Sequence, residues 1–289
     1  MKDWVPATTI FTIFKLASNR IQSMQTLSKG QFFGKLECYN ETKGITASVT
    51  SYEKGDCISD SVHYHEHPNF YFILNGGSIE KRKGIQTEQF AGSLRFYCAG
   101  EPHQNIRKGI YPKSLNLEID RTFLKEFNIA ENSLNRSLLE SANAKFIVLS
   151  ICQEFITNDS FTNASMQLLL LKLLNPSVRT NSYNKLPLWV KTLEQVLHDR
   201  WNENISLQEL AILSGVSPIT ISKQFPVYFN DTLGCYMRKL KIEKALSLIK
   251  STNLRLTEIA FECGFADQSH FIRNFKQLTG FLPKSFRKL

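Results

Sequence analysis

The sequence predicts an α+β protein, with a β-barrel and accompanying helices first and an all-α region of two helix-turn-helix units joined by a long helix after it. Three observations predict it. One pattern is written twice near the C-terminus, LQELAILSGV at Leu207–Val216 and LTEIAFECGF at Leu256–Phe265. From Phe32 to about Ile119, short β-prone runs alternate with glycine turns, a spacing that suits a small antiparallel barrel or sandwich. Between these regions Asn175–Asn184 is polar, contains a proline and lacks periodicity, as a linker does. The chain therefore divides into an extension with few signals (1–31), a barrel with helices (32–174), a linker (175–186) and a helical domain (187–289).

Within the barrel the expected strands are Phe32–Tyr39, Thr46–Tyr52, His63–His67, Phe70–Leu74, Ser78–Arg82, Leu94–Tyr97 and Leu115–Ile119. Gly76-Gly77 and Lys83-Gly84 read as hairpin turns between them. Helices are expected over Arg121–Asn128, Ala144–Thr157 and Asn163–Leu174. The last is rich in leucine and suits either pairing of two copies or packing against the barrel.

In the C-terminal region Pro187 opens a helix to about Trp201 whose apolar face is Leu188, Val190, Leu193, Val196 and Leu197. Ser206 and Glu209 have the spacing of a capping box, Ala211 is small where the next helix crosses, and Gly215 permits the sharp turn. Ser217 caps the following helix, and Pro218 sits in its first turn. The second copy repeats this logic with Glu258, Ile259, Ala260, Gly264 and Phe265, and Asp267 caps the helix Gln268–Leu278. Leu233, Met237, Leu240, Leu248 and Ile249 give one long connecting helix. A helix, a tight turn and a second helix are how a protein lays a helix in the major groove, so two joined units suggest one chain reading successive grooves.

Composition agrees. A length of 289 residues allows two cores, and a hydrophobic content of 42% with 21% charged residues excludes wholesale disorder. The net charge of +9 matters less than its placement. After Asp267 no acid occurs, while Arg273, Lys276, Lys284, Arg287 and Lys288 follow, and Arg238, Lys239, Lys241 and Lys244 form a second cluster. Such faces suit a polyanion. The six cysteines form no CxxC pair, and no signal peptide precedes them, so the expectation is reduced thiols in a cytoplasm without disulfides or structural zinc. No apolar run approaches the roughly 18 residues of a membrane span.

Residues 187–289 resemble the DNA-binding domain of the AraC/XylS family of bacterial transcription regulators. The motif GFADQSHFIRNFK at Gly264–Lys276, Thr279-Gly280 and PKSFR at Pro283–Arg287 carry the resemblance, and Tyr236–Lys241 fits the family's connecting helix. The resemblance implies double-stranded promoter DNA as partner, RNA polymerase if the protein activates, a homodimer in many members, and no enzymatic activity. It implies base reading by Ile219, Ser222 and Lys223 in the first unit and by Gln268, Ser269, Ile272 and Arg273 in the second. Their chemistry agrees, since Arg and Lys donate to guanine, Gln pairs with adenine and Ile touches a thymine methyl. Arg238 and Lys276 are assigned to phosphates. Two departures stand out. Pro226 replaces a residue that is usually basic, predicting a shortened or kinked first recognition helix with its start intact. Asn230 replaces a usual glycine, and asparagine tolerates the left-handed backbone.

The pattern HYHEHP at His63–Pro68, with His103 after Ala99–Pro102, resembles the cupin-like sensor domain common in that family. On a strand, His63, His65 and His67 would share a face. With Phe72, Phe96 and His103 they make the candidate effector pocket, Phe70 and Tyr97 being further aromatics that either line it or fill the core. Metal-binding cupins add a glutamate beyond the first histidines, where this chain has Asn69-Phe70, and Glu66 points to the other face. The expectation is therefore no metal and no cofactor. The rival reading is a cupin-type metalloenzyme with an accessory nucleic-acid-binding domain.

Overall fold

A computed structural model describes residues 24–53, 61–131, 142–174 and 186–289. The linker residues 175–185, the first 23 residues of the expected extension and Cys57 lie outside the described residues.

Among the described residues, eight strands form one curled sheet: β1 (Gln25–Leu27), β2 (Lys35–Thr42), β3 (Ile45–Ser51), β4 (His63–His65), β5 (Asn69–Arg82), β6 (Ile85–Phe90), β7 (Leu94–Tyr97) and β8 (His103–Ile119). The sheet runs β1-β4-β8-β3-β2, and β5 pairs with β6, β7 and β8. The long β8 thus organises the sheet, meeting β3, β4 and β5 antiparallel. The strand β1 falls inside the stretch read as extension; it is three residues long and pairs parallel to β4.

Two expected strands are one. Phe70–Leu74 and Ser78–Arg82 fuse into β5, and Gly76-Gly77 is no hairpin turn. The register against β8 slips between Ile73 and Asn75 and again between Asn75 and Gly77, so the glycines sit at bulges that bend a continuous strand. A Cβ on Gly77 would lie 2.6 Å from the Gln89 carbonyl oxygen, which explains the bare backbone there. Lys83-Gly84 does turn, with φ of 49° and 75° between the paired Arg82 and Ile85.

The apolar face of the sheet is its outer one. Ile45, Ala47, Val49, Phe70, Phe72, Phe96, Leu115 and Leu117 point into a core shared with helices α1 (Arg121–Glu126), α2 (Ala142–Thr157) and α3 (Thr162–Leu174). The alternate residues face inward and are polar: Thr46, Ser48, Thr50, His63, His65, Asn69, Ser114 and Asn116 are all buried. Asn116 donates to Ser48 and Thr50, and Ser114 to Tyr71, so hydrogen bonds satisfy part of this interior.

The C-terminal helices are α4 (Leu188–Asp199), α5 (Leu207–Ser214), α6 (Pro218–Phe229), α7 (Leu233–Ser251), α8 (Leu256–Glu262), α9 (Gln268–Thr279) and α10 (Pro283–Lys288). The predicted capping box forms: the Ser206 hydroxyl accepts from the Glu209 N–H at 3.2 Å, and Glu209 accepts from the Ser206 N–H at 2.9 Å. Gly215 closes α5 at φ 70°, and Asn230 closes α6 left-handed at φ 55°. The shortening expected from Pro226 does not occur, because α6 runs twelve residues, as many as α9. The proline removes one N–H and is exposed, while Phe225 and Phe229 on either side stack at 4.2 Å and hold the last turn against the core. Among the described residues no helix is long and apolar enough to cross a membrane.

Candidate functional site

Each recognition helix begins on a cap that leaves its first turn outward. Ser217 accepts the Thr220 N–H at 3.1 Å at the start of α6, and Asp267 accepts the His270 N–H at 2.7 Å at the start of α9. On α6, Ile221 and Phe225 are buried, which rotates Ile219, Ser222 and Lys223 to the surface. Ile219 is 66% exposed, a large apolar side chain presented to water with no core to serve. On α9, Phe271, Asn274 and Phe275 are buried, so Ser269, Arg273 and Lys276 face out. Gln268 and Ile272 are half-buried, and Gln268 Oε1 accepts the Thr257 hydroxyl at 2.6 Å. That bond orients the amide with its N–H groups available. Ile272 also packs against the core, so only part of its side chain is presented.

The connecting helix α7 sets one head against the other. Arg238 is exposed, whereas the other cations of that cluster are not all surface charge. Lys239 is buried in an ion pair with Asp231 and a hydrogen bond to Asn143, and Lys241 donates to the Gly264 carbonyl at 2.8 Å. Burial lowers the Lys241 ammonium from its ordinary range. Two of the four basic residues in this run are therefore structural, which charge patterning alone does not distinguish.

Inside the sheet, His63 pairs in register with His103, and His65 lies on the same face of β4. Ring centroids are 4.3 Å apart for His63 and His103 and 5.5 Å apart for His65 and His103. Burial, then repulsion from His103 and His63, holds His65 far below the ordinary imidazole range, and burial pushes His103 down to about 3. His67 is not in this group, because β4 ends at His65 and the period-two alternation stops with it. Phe72 and Phe96 do not line the pocket either. The pleat turns them to the outer core, and Tyr71 and Tyr97 take their places beside the histidines. The cavity there holds only about 20 Å³, far short of the roughly 300 Å³ at which metabolite sites begin.

A larger space lies where the sheet meets the C-terminal helices. This cleft of about 690 Å³ is lined by Lys35, Lys113, Lys250, Arg287 and Lys288, with Glu37 and Glu53 between them. Lys113 pairs with Glu37 at 2.6 Å and Lys35 with Glu53 at 3.0 Å. Lys250 donates to the Arg287 carbonyl at 3.3 Å and sits over the Phe286 ring; burial, then Lys113, lowers its ammonium to about 8. Sequence reading could not find this cleft, since its cations come from β2, β8, α7 and α10.

The geometry defines a double helix-turn-helix protein, and comparison with known proteins agrees. Residues 210–289 match the family model described as a helix-turn-helix domain. The transcriptional activator RhaS of Escherichia fergusonii is 32% identical over 92 residues, 32% of this chain and 33% of that protein. RhaS of an Enterobacter species is 26% identical over 158 residues, 54% of this chain and 56% of that protein. The chain thus spans between a third and somewhat over half of the length of these relatives. The solved structure of ToxT from Vibrio cholerae is similar over 86% of this chain and 98% of its own, at 13% identity and a TM-score of 0.35. The C-terminal region is thus similar to a helix-turn-helix domain and to the corresponding part of these regulators.

Proposed function

We propose that the chain is a sequence-specific transcription regulator that grips promoter DNA through α6 and α9 and has no catalytic role. One observation carries this reading: two capped helices, each with its first turn outward, are fixed to one connecting helix. Ile219, Ser222 and Lys223 would read bases in one groove and Gln268, Ser269, Ile272 and Arg273 in the next, with Arg238 and Lys276 on phosphates. Footprinting on genomic fragments tests it. Protection should cover two major-groove segments about 34 Å apart on one side of the duplex. Protection of a single turn, or equal affinity for scrambled sequence at fixed salt, would refute it.

Control by a small molecule is best supported at the basic cleft, which is large enough for a metabolite and lined by both halves of the chain. Its cations select an anionic effector, a carboxylate or a phosphate. As pH rises through about 8, loss of the Lys250 proton should weaken that binding. The exposed Leu168 and Phe161 at α3 would serve a homodimer, although Met166, Leu170, Leu173 and Leu174 of that helix pack internally. The reading places the protein in the cytoplasm and, for an activator, beside RNA polymerase. A cupin-type metalloenzyme is less well supported, since none of the described residues that line the histidine cavity is a carboxylate.

A further inference from the structure

The second helix-turn-helix unit carries one contact that its motif does not announce. The Thr257 hydroxyl donates to Gln268 Oε1 at 2.6 Å, joining the first turn of α8 to the first residue of the recognition helix α9. Thr257 is exposed and Gln268 half-buried, so the pair sits at the surface of the second head.

The separation fixes which end of the amide faces which way. An O–H···O bond is usually about 2.7–2.8 Å long, whereas an N–H···O bond centres at about 2.9–3.0 Å. At 2.6 Å it is the amide oxygen, and not the nitrogen, that meets the hydroxyl. Neighbouring carboxylates are engaged elsewhere. Glu258 accepts the Arg255 backbone N–H at 2.7 Å and its guanidinium at 2.8 Å, and Asp267 Oδ1 accepts the His270 N–H at 2.7 Å. The Gln268 oxygen is therefore turned back toward α8, and Nε2 with its two N–H groups is the end left to present.

That orientation changes what Gln268 can read. An amide recognises adenine through both of its ends, the oxygen accepting from N6 and the nitrogen donating to N7. With the oxygen drawn to Thr257, the edge that carries both ends no longer faces outward. Guanine answers the remaining donors with two acceptors in the major groove, N7 and O6. The first unit cannot have such a device. In the duplicated motif Gln208 and Ile219 stand where the second unit has Thr257 and Gln268, and Ile219 has no polar atom to orient.

We propose, resting on the base-reading role given to Gln268, that Thr257 is a positioning residue that sets the sequence preference of the second head. It makes Gln268 a donor that selects guanine, where a glutamine left free selects adenine. Thr257 itself touches no base. Contact with DNA excludes water from the pair and strengthens its hydrogen bond at the moment of reading.

The test uses the full chain. Selection from a randomised duplex pool, compared with the same selection by Gln268→Ala, locates the base pair that Gln268 reads. Titrations at fixed salt then compare the four possible pairs at that place. The native chain should prefer guanine to adenine at least about fivefold, the low end of what one good base contact supplies. Thr257→Val keeps the branched shape without the hydroxyl, and it should abolish or reverse that preference while leaving the pair read by Arg273 unchanged. Thr257→Ser should restore it. A merely structural Thr257 would instead lower affinity for every sequence alike. A native preference for adenine would overturn the proposal, as would a Thr257→Val profile identical to the native one or a Thr257→Ser profile identical to that of valine. Two further failures are told apart. A native chain that enriches no sequence overturns base reading as a whole and this proposal with it. A native chain that enriches a sequence to which Gln268→Ala is indifferent overturns the Gln268 assignment and the role of Thr257, and leaves the regulator reading standing.

Discussion

Arg273 and Lys276 lie one turn apart on α9, both exposed, yet the reading gives them different work. Arg273→Ala should cost about 1–3 kcal/mol of affinity and blur preference at one base pair, while Lys276→Ala should lower the slope of log affinity against log salt by about one. Binding titrations on matched and mismatched duplexes at several salt concentrations separate the two; a uniform loss for Arg273→Ala would remove it from base reading. A second residue governs stability. Glu118 accepts the Gly30 N–H at 2.6 Å, but burial raises its carboxyl from 4.5 to about 7 against the pull of Gly30 and Lys29, with Asp120 and Glu66 adding to the rise. Between those values the folded chain holds a proton that the unfolded chain has lost, so stability falls as pH rises through the window. Glu118→Gln keeps the Gly30 bond and should gain up to about 2–3 kcal/mol above neutrality, with little gain near pH 5. Urea midpoints at the two pH values decide it, and equal gains would refute the assignment. At this scale the exposed base-reading candidates were legible from the motif. Phe72 and Phe96 were not, because a one-residue choice of sheet face reverses every side chain.

The two glycine turns show how an element's environment decides what its sequence costs. Gly215 and Gly264 have almost the same left-handed backbone, φ 70° and 69°. A Cβ on Gly215 would meet nothing within 4 Å, whereas one on Gly264 would lie 1.8 Å from the Asn202 carbonyl oxygen. Gly215→Ala should therefore cost only the backbone term of about 1–2 kcal/mol. Gly264→Ala adds forced movement of the 202 backbone and should cost about 3 kcal/mol or more. Thermal unfolding of both variants checks this, and equal losses would show that the contact yields freely. The repeated motif announced both turns but not their difference, since Asn202 lies about sixty residues away in sequence. The same limit explains β5. Gly76-Gly77 satisfies every local rule for a hairpin, and pairing with β8 along nearly its whole length overrides it. The helices, by contrast, were legible through their caps, because Ser206, Glu209, Ser217 and Asp267 act within their own first turns.

At the scale of the whole molecule, the hydrophobic cores do not follow the duplicated motifs. The first unit closes on itself through Leu193, Leu197, Leu210, Ile221, Phe225 and Leu240. The second unit does not, since Ile259, Ala260, Phe271, Phe275 and Phe286 belong to the core that also contains the sheet, α2 and α3. Helix α7 is split between them, with Leu240 in the small core and Ile242, Ala245, Leu246 and Ile249 in the large one. Lys145 of α2 pairs with Glu243 of α7, and Gly280 and Gly92 lie close against Gln153 and Leu246, so the join to the second unit is tight. Cooperative units follow buried contacts, so the first unit should open at lower free energy than the rest. Native-state hydrogen exchange should find the slowest amides of α4, α5 and α6 exchanging well before those of α9 and the C-terminal half of α7. A single shared exchange rate for both heads would refute this. If the ordering holds, an event at the sheet reaches the second recognition helix through direct packing. It reaches the first only through α7, whose angle then sets the distance between the two heads.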